Sequence, residues 1–214
     1  GEIRGRAAED VPLPEINSAL QGSPQMVIRL SFLIAFCTVW LYNQVCVSAA
    51  ASENSCEREM ASAAARYQVP LAVLYAVGLT ETGKRRSLQP YALNIDGNAE
   101  FYPTAAAALA RYRAAVAAGA RLIDLGCMQI NAHYHAEAFK SVADMLVPAE
   151  NVAYAAQFLR KLRDQEGSWT MAVARYNAGP NNDPAQKIYV CRVMSNMVAS
   201  GFGRWTPQAQ DFCR

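Results

Sequence analysis

The chain contains a succession of segments in which apolar residues recur every three or four positions, most of them closed by Gly or Pro. This spacing places the apolar residues on one face of an α-helix, which must be buried against another element. Ser55 or Asn54 can cap the first helix, and Gly167 and Gly201 can end two later ones. The chain is therefore predicted to be mainly α-helical, with helices over 55–68, 70–82, 104–118, 149–165, 169–177 and 183–200.

The same spacing predicts which residues face the core. On the helix over 104–118 the predicted inward residues are Leu109, Tyr112 and Val116. On the helix over 183–200 they are Ile188, Cys191 and Val198. On the helix over 70–82 the series Leu74, Gly78 continues to Glu81, so an acid stands where the pattern requires a buried residue.

A small β region interrupts the helices. Residues 91–95 and 99–102 flank Asp96-Gly97-Asn98, which is typical of a tight hairpin turn, and 121–125 is a candidate third strand. The predicted fold is a mainly α domain with a hairpin or three-strand insertion over residues 52–200, followed by a C-terminal tail over 201–214.

The first 51 residues have the pattern of an export signal. Met26–Arg29 is a short positive leader, and Leu30–Tyr42 is an uncharged run shorter than the about 20 residues that span a bilayer. Small residues follow over 47–51, so we expect cleavage after Ala49, Ala50 or Ala51 and export to the periplasm or cell envelope. An uncleaved membrane anchor is the alternative. Residues 1–25 are interpreted as a polar extension that is disordered or lies upstream of the true start.

Charge and composition exclude other classes of protein. Hydrophobic residues make up 52% of the chain, which excludes a disordered protein. The net charge is +2 and no basic block is longer than Lys84–Arg86, so nucleic acid is not an expected partner.

Four cysteines remain after the signal: Cys56, Cys127, Cys191 and Cys213. An oxidising compartment favours disulfides, and four cysteines allow three full pairings. We expect Cys56 to pair with Cys191 rather than with Cys213, because Cys56 and Cys191 lie on apolar helix faces and the first and last helices of small domains often pack together. Cys127, flanked by apolar residues, is then a buried thiol.

Three polar segments stand out against this apolar background. Glu81-Thr82 ends an apolar helix, residues 126–131 (GCMQIN) combine glycine with amides, and Tyr176-Asn177 ends another helix. Cleavage of a glycosidic bond requires a carboxylic acid that is still protonated near neutral pH, and an apolar helix end raises the pKa of a Glu. Amide and tyrosine side chains suit the hydroxyl and acetamido groups of sugars.

In this order the segments resemble the transglycosylase SLT domain, a family of lytic transglycosylases in the lysozyme-like superfamily. The matching segments are Glu81-Thr82, Gly126–Asn131, Asn151–Tyr154 and Ala172–Gly179, and the resemblance spans Cys56 to Arg192. Thr82 replaces the usual Ser and Cys127 the usual Leu. The interval between Glu81 and Gly126 is about twice that of compact members, and the role of the extra residues over 84–125 is open.

The resemblance implies a lysozyme-like fold, Glu81 as the catalytic acid, and peptidoglycan glycan strands as substrate. Side chains that would bind or orient the sugar are Thr82, Met128, Gln129, Asn131, Tyr176 and Asn177. The implied reaction needs no cofactor: the substrate's acetamido group stabilises the sugar cation and a 1,6-anhydromuramyl end forms. A monomer is expected, and exported proteins of this family often serve secretion, conjugation or wall remodelling.

Three alternatives remain open. A hydrolase of lysozyme type would use Asp96 or Asp124 as a second carboxylate; we expect Asn at either position to retain substantial activity. A Cys–His enzyme would use Cys127 with His133 or His135. A wall-binding or secretion-assembly module would keep the fold without turnover. A metal site at His133-x-His135 lacks a third ligand, so no metal is expected.

Overall fold

The computed structural model describes residues 54–84 and 87–214, together with the backbone of Glu15–Ile16. The helices are α1 Ser55–Tyr67, α2 Leu71–Thr82, α3 Ala105–Ala117, α4 Ala132–His135, α5 Pro148–Glu166, α6 Trp169–Asn177, α7 Asp183–Ala199 and α8 Pro207–Phe212. The strands are β1 Glu15–Ile16, β2 Ala92–Ile95, β3 Asn98–Phe101, β4 Ile123–Leu125, β5 Ile130–Asn131 and β6 Gly203–Arg204. Short 3₁₀ turns occupy Ala136–Ala138 and Asp144–Leu146.

Helix α2 lies at the centre of the helical layer. It is apolar on nearly every side, and seven of its residues, among them Val73, Leu74 and Val77, are buried. It packs against α1 and α7, while α5 packs against α1 and α6. At Gly78 a Cβ atom would lie 2.5 Å from Leu88 and 2.6 Å from Met60, so the glycine permits the close approach of α1. An apolar helix enclosed in this way can bury a carboxyl at its end.

The helix boundaries follow the local sequence signals. The Asn54 side chain accepts from the backbone N–H groups of Cys56 and Glu57, and Ser168 accepts from the N–H of Met171. Gly167 ends α5 in the left-handed conformation, with φ of +82°. These caps satisfy backbone groups that the helix itself leaves unpaired. The predicted caps at Asn54 and Gly167 are confirmed.

The predicted β insertion is also confirmed. Strands β2 and β3 form an antiparallel hairpin, and the sheet order is β3-β2-β4-β5. Asp96 and Gly97 make the two-residue turn with φ values of +47° and +92°, as a hairpin whose twist matches its strands requires. Together with the helices, this sheet gives the mainly α, lysozyme-like fold predicted from the sequence.

Two predicted core faces are wrong. On α3 the buried residues are Ala108 and Ala115, whereas Val116 is 48% exposed, because the small alanines allow close packing of the helix. On α7 Ile188 is 56% exposed. The buried face of α7 lies about one residue away from the predicted one and consists of Gln186, Tyr189, Val190, Val193, Met194 and Met197.

The segment after α7 folds back onto the domain. Strand β6 pairs with β1 in the register Glu15–Arg204 and Ile16–Gly203, and α8 buries Ala209 completely. In the part of the chain that the structure describes, none of the helices is both long and apolar enough to cross a membrane. The predicted signal segment over 26–51, including its cleavage site, lies outside the described residues, as do residues 1–25 apart from β1.

The structure forms two disulfides, Cys56–Cys127 and Cys191–Cys213. The predicted Cys56–Cys191 pairing and the free Cys127 thiol are therefore wrong. The prediction assumed that the first and last helices pack together, but α1 packs mainly on α5 and α2, and the buried face of α7 turns towards α2 and α6. Cys127 is fully buried as expected, facing Cys56 on α1.

A buried asparagine holds the segment that begins at Gly126. The Asn151 side chain on α5 accepts from the N–H of Met128 at 2.8 Å and donates to the carbonyls of Leu125 and Met145 at 2.9 and 2.8 Å. Gly126 has φ of +80°, and a Cβ atom there would lie 2.5 Å from Asn151 Nδ2. Glycine is required at position 126 because φ is positive there and because a Cβ atom would collide with the Asn151 side chain.

We therefore expect Gly126→Ala to destabilise the fold more than Gly119→Ala. Gly119 also has a positive φ, of +92°, but a Cβ atom added there would meet nothing within 4 Å. Gly119→Ala should cost only the left-handed strain, about 1–2 kcal/mol, whereas Gly126→Ala also disturbs the Asn151 bonds and should cost at least about 2 kcal/mol more. Urea denaturation measures both free energies of unfolding; equal losses would show that the Asn151 contact adds nothing.

Candidate active site

The Glu81 carboxyl lies near the end of α2, against α7. Tyr189, on the buried face of α7, donates its hydroxyl proton to Glu81 Oε1. Glu81 is partly buried, and most of the α2 residues before it are apolar. Packing of α2 on α7 therefore fixes the position of the carboxyl and limits its contact with water.

Burial raises the pKa of Glu81 from its ordinary 4.5 to about 7. The hydrogen bond from Tyr189 opposes this shift, because it favours the charged form, and the nearby Asp124 carboxylate adds to it by charge repulsion. A carboxyl with such a pKa exists in both protonation states near neutral pH. It can therefore give up a proton and take one back within a single reaction.

Glu81 faces a cleft of about 330 Å³ between the helical layer and the sheet. The cleft is lined by carboxyl, amide and aromatic side chains. The carboxyl groups belong to Glu81, Asp96 and Asp124, the amides to Asn94, Gln129, Asn131 and Asn177, and the rings to Tyr134, His135, Phe158 and Tyr176. Amides and rings of this kind suit the hydroxyl groups and faces of a sugar chain.

Asp124 on β4 is the carboxyl whose charge adds to the raised pKa of Glu81. Asn131 Nδ2 donates to one of its oxygens at 2.6 Å, and Asn94 Nδ2 donates to the other at 3.1 Å. Burial raises the pKa of Asp124, and the two amide donors act in the opposite direction. The sequence indicates Asp124 only as a candidate second carboxylate of a hydrolase and does not reveal the two amides beside it.

Gln129 shapes the loop in front of the cleft. Its φ is +48°, and its side-chain Nε2 donates to the carbonyls of Gly126 at 3.0 Å and Ala92 at 3.3 Å. These bonds connect the Gly126 loop to strand β2. Gln129 therefore lines the cleft and holds the loop at the same time.

Thr82 and Met128 are placed to orient the site rather than to contact a substrate. Thr82 is 3% exposed, and its hydroxyl donates to the Cys127 carbonyl at 2.9 Å, which joins the end of α2 to the Gly126 loop. Met128 is fully buried, and its carbonyl accepts from the Tyr176 hydroxyl at 2.8 Å. The Met128 side chain belongs to the core.

Tyr176 and Asn177, at the end of α6, both reach the cleft. Burial, followed by the charge of Glu81, raises the pKa of Tyr176 well above 10, so its hydroxyl stays protonated and acts as a donor. The hydrogen bond from this hydroxyl to the Met128 carbonyl fixes the Tyr176 ring in the cleft that Glu81 faces.

Two rival chemistries find no support in the site. Cys127 is joined to Cys56, so it is not a thiolate nucleophile in the oxidised protein. His135 Nδ1 lies 2.8 Å from the Tyr154 hydroxyl, and among the described residues no group of three or more His, Cys, Asp or Glu side chains could hold a metal ion.

Sequence reasoning missed Tyr189, Asn94, Tyr134, His135 and Phe158 as residues of this site. For Tyr189 a signal was present, because it lies on the α7 face made by Gln186, Tyr189, Val190, Val193 and Met194, a more continuous stripe than the one predicted. Asn94, on β2, comes to the cleft through strand pairing, which helical spacing does not reveal.

A mainly helical domain with a small sheet, and with a glutamic acid of raised pKa in a cleft of amide and aromatic side chains, has the features expected of a lysozyme-like domain. The family model described as the transglycosylase SLT domain matches residues 59–190, more than half of the chain. The chain belongs to this family. Searches of curated proteins and of solved structures gave no match.

The raised pKa of Glu81 predicts a pH dependence of stability. The folded protein holds the proton more tightly than the unfolded chain, so the stabilisation is complete below about pH 4.5 and is lost as the pH rises through about 7. Relative to Glu81→Gln, which does not titrate, the wild type should lose up to about 3 kcal/mol of unfolding free energy between pH 4.5 and 8. Urea denaturation across this range measures the difference. Parallel stability profiles would contradict the raised pKa.

Proposed function

We propose that the protein is an exported lytic transglycosylase that cleaves the β-1,4 bond between N-acetylmuramic acid and N-acetylglucosamine in peptidoglycan. The observation that carries this proposal is the position of Glu81: a partly buried carboxyl with a pKa of about 7, facing a polar cleft in a member of the transglycosylase SLT domain family. The family supplies the reaction class, and the cleft supplies an acid suited to it.

In the first step the protonated Glu81 gives its proton to the glycosidic oxygen. The bond from that oxygen to the muramyl anomeric carbon breaks, and its electron pair leaves with the N-acetylglucosamine oxygen. Positive charge develops on the muramyl ring, where the substrate's acetamido group can share it. Tyr189 donates to the resulting Glu81 carboxylate and so stabilises the charge that the step creates.

In the second step the Glu81 carboxylate removes the proton from the muramyl 6-hydroxyl. The oxygen then bonds to the anomeric carbon and closes a 1,6-anhydro ring, so the reaction consumes no water and restores the acid. Because the attacking oxygen belongs to the same sugar, proximity can supply roughly 7–11 kcal/mol of the barrier reduction when the geometry is right.

Export is part of the proposal because of the pattern over residues 26–51 and the two disulfides, which suit an oxidising compartment. Cleavage after Ala49, Ala50 or Ala51 would also remove β1. The described residues that line the cleft all lie at or after Glu81, so the mature domain would keep all of them.

A hydrolase of lysozyme type on the same bond is the second candidate. The observation in its favour is Asp124, which lies in the cleft with Glu81, since hydrolases of this kind use two carboxyl groups. The two reactions differ in their products: a hydrolase leaves a reducing muramic acid end, whereas the transglycosylase leaves an anhydro end.

We expect purified wild-type protein to release 1,6-anhydromuramyl products from sacculi, and Glu81→Gln to lose about 10²–10⁴-fold in rate while remaining folded, because the amide has no acidic proton. Borohydride reduction followed by mass spectrometry identifies the products, since anhydro ends are not reduced. Glu137→Gln, an exposed change of the same kind, is the control.

Two results would contradict the proposal. Release by folded Glu81→Gln at more than a few per cent of the wild-type rate would remove Glu81 as the acid. Reducible muramic acid ends as the main product of the wild type would make the protein a hydrolase.

A further inference from the structure

The Cys56–Cys127 disulfide ends in the loop in front of the cleft. Cys127 is the second residue of the Gly126 loop (residues 126–131), and both cysteines are fully buried. Gln129 and Asn131 belong to the same loop, and both line the cleft. The disulfide therefore attaches the backbone that carries these two amides to the first turn of α1.

Helix α1 gives the disulfide a fixed end. The Asn54 side chain accepts from the backbone N–H of Cys56 at 2.9 Å and donates to the Leu88 carbonyl at 2.7 Å, so the start of α1 is joined to the segment that follows α2. Hydrogen bonds join the Gly126 loop to α2, α5, α6 and β2. The disulfide adds a covalent bond to a further helix.

The loop contains an unfavourable backbone conformation that has to be held. Gln129 has φ of +48°, in the left-handed region that a residue with a Cβ atom rarely adopts. Such a conformation persists only where the surrounding structure determines it. A covalent bond at Cys127 limits the freedom of this backbone to relax, and so keeps the Gln129 amide in the cleft.

The second disulfide has a different place in the fold. Cys191–Cys213 joins α7 to the residue that follows α8, and its half-buried cysteines line a separate cavity of about 820 Å³. Among the described residues, none lines both this cavity and the cleft. The chain therefore offers a disulfide away from the cleft with which the first one can be compared.

We propose that the Cys56–Cys127 disulfide is a positioning element of the active site: it holds the Gly126 loop, and through the loop the amides of Gln129 and Asn131, so full activity requires this bond. The inference rests on the proposed function, because these amides face the glycan only if the cleft binds one. The two cysteines are positioning residues, since neither touches the sugar.

The bond forms by exchange with an external disulfide. One S–S bond forms between Cys56 and Cys127, and the S–S bond of the external compound breaks; that compound takes up the two electrons and the two protons and leaves as thiols. Such oxidants belong to the compartment that lies beyond the export step. Full activity is therefore acquired after export.

The test removes each disulfide separately. The first variant carries Cys56→Ala with Cys127→Leu, in which the apolar leucine fills the space of the sulfur but cannot form the bond. The control carries Cys191→Ala with Cys213→Ala. The two bonds close loops of different length, with sequence separations of 71 and 22, so each variant is assayed at a temperature at which circular dichroism shows it to be folded.

On soluble peptidoglycan fragments we expect the first variant to lose about 10-fold or more in kcat/KM, with KM raised about threefold or more. A misplaced loop weakens both sugar binding and orientation, and a displacement of about 1 Å can cost about 10²-fold in rate. Unfolding of some molecules would lower the apparent kcat alone, so the raised KM separates positioning from stability. The control should keep the wild-type values.

Wild-type protein that is refolded under reducing conditions should show the same raised KM. Oxidised glutathione, an external disulfide, should restore it once peptide mapping shows that Cys56 and Cys127 are joined. Equal kinetic constants for the reduced and oxidised protein would overturn the inference.

Three further results would contradict it. A first variant with kcat/KM within about threefold of the wild type, or with a lowered kcat and an unchanged KM, would assign the bond to stability alone and leave the proposed function intact. Equal losses in the control would show a general effect of removing a disulfide. A folded, oxidised wild type that releases no product would overturn the proposed function, and this inference with it.

Discussion

The site depends on the contact between the carboxyl of Glu81 and the buried face of α7. Helix α2 is enclosed by apolar neighbours, so the carboxyl at its end loses much of its hydration and its pKa rises to about 7. Tyr189 limits this rise through a single hydrogen bond. The packing of α2 on α7 therefore has two opposing effects on the pKa of Glu81: burial raises it and the hydrogen bond from Tyr189 lowers it.

Hydrogen bonds from the other helices fix the position of the Gly126 loop relative to Glu81. Thr82 joins the end of α2 to the Cys127 carbonyl, Tyr176 joins α6 to the Met128 carbonyl, and Asn151 joins α5 to the Met128 N–H. All three bonds end on the loop that follows Gly126. A short loop that is tied to three helices can keep its amides at fixed distances from Glu81.

The fold class, the helix caps and the position of Glu81 could be predicted from the sequence because each depends on local spacing. The acid interrupts an apolar series, and Asn54, Ser168 and Gly167 are strong boundary signals. The disulfides could not be predicted in the same way, since they depend on which helices pack together. The core face of α7 was predicted wrongly although the apolar stripe through Tyr189 was present in the sequence. The Asn94–Asp124–Asn131 arrangement depends on strand register, which brings together residues that lie far apart in the chain.

The central claim is that the fold keeps Glu81 protonated up to about neutral pH. An NMR titration of the ¹³C-labelled Glu81 carboxyl in the folded protein measures its pKa directly. The predicted value is about 7, and it should be higher still in Tyr189→Phe, which lacks the donor that favours the charged form. A value close to the ordinary 4.5 would show that Glu81 is ionised at neutral pH and would contradict its role as the acid.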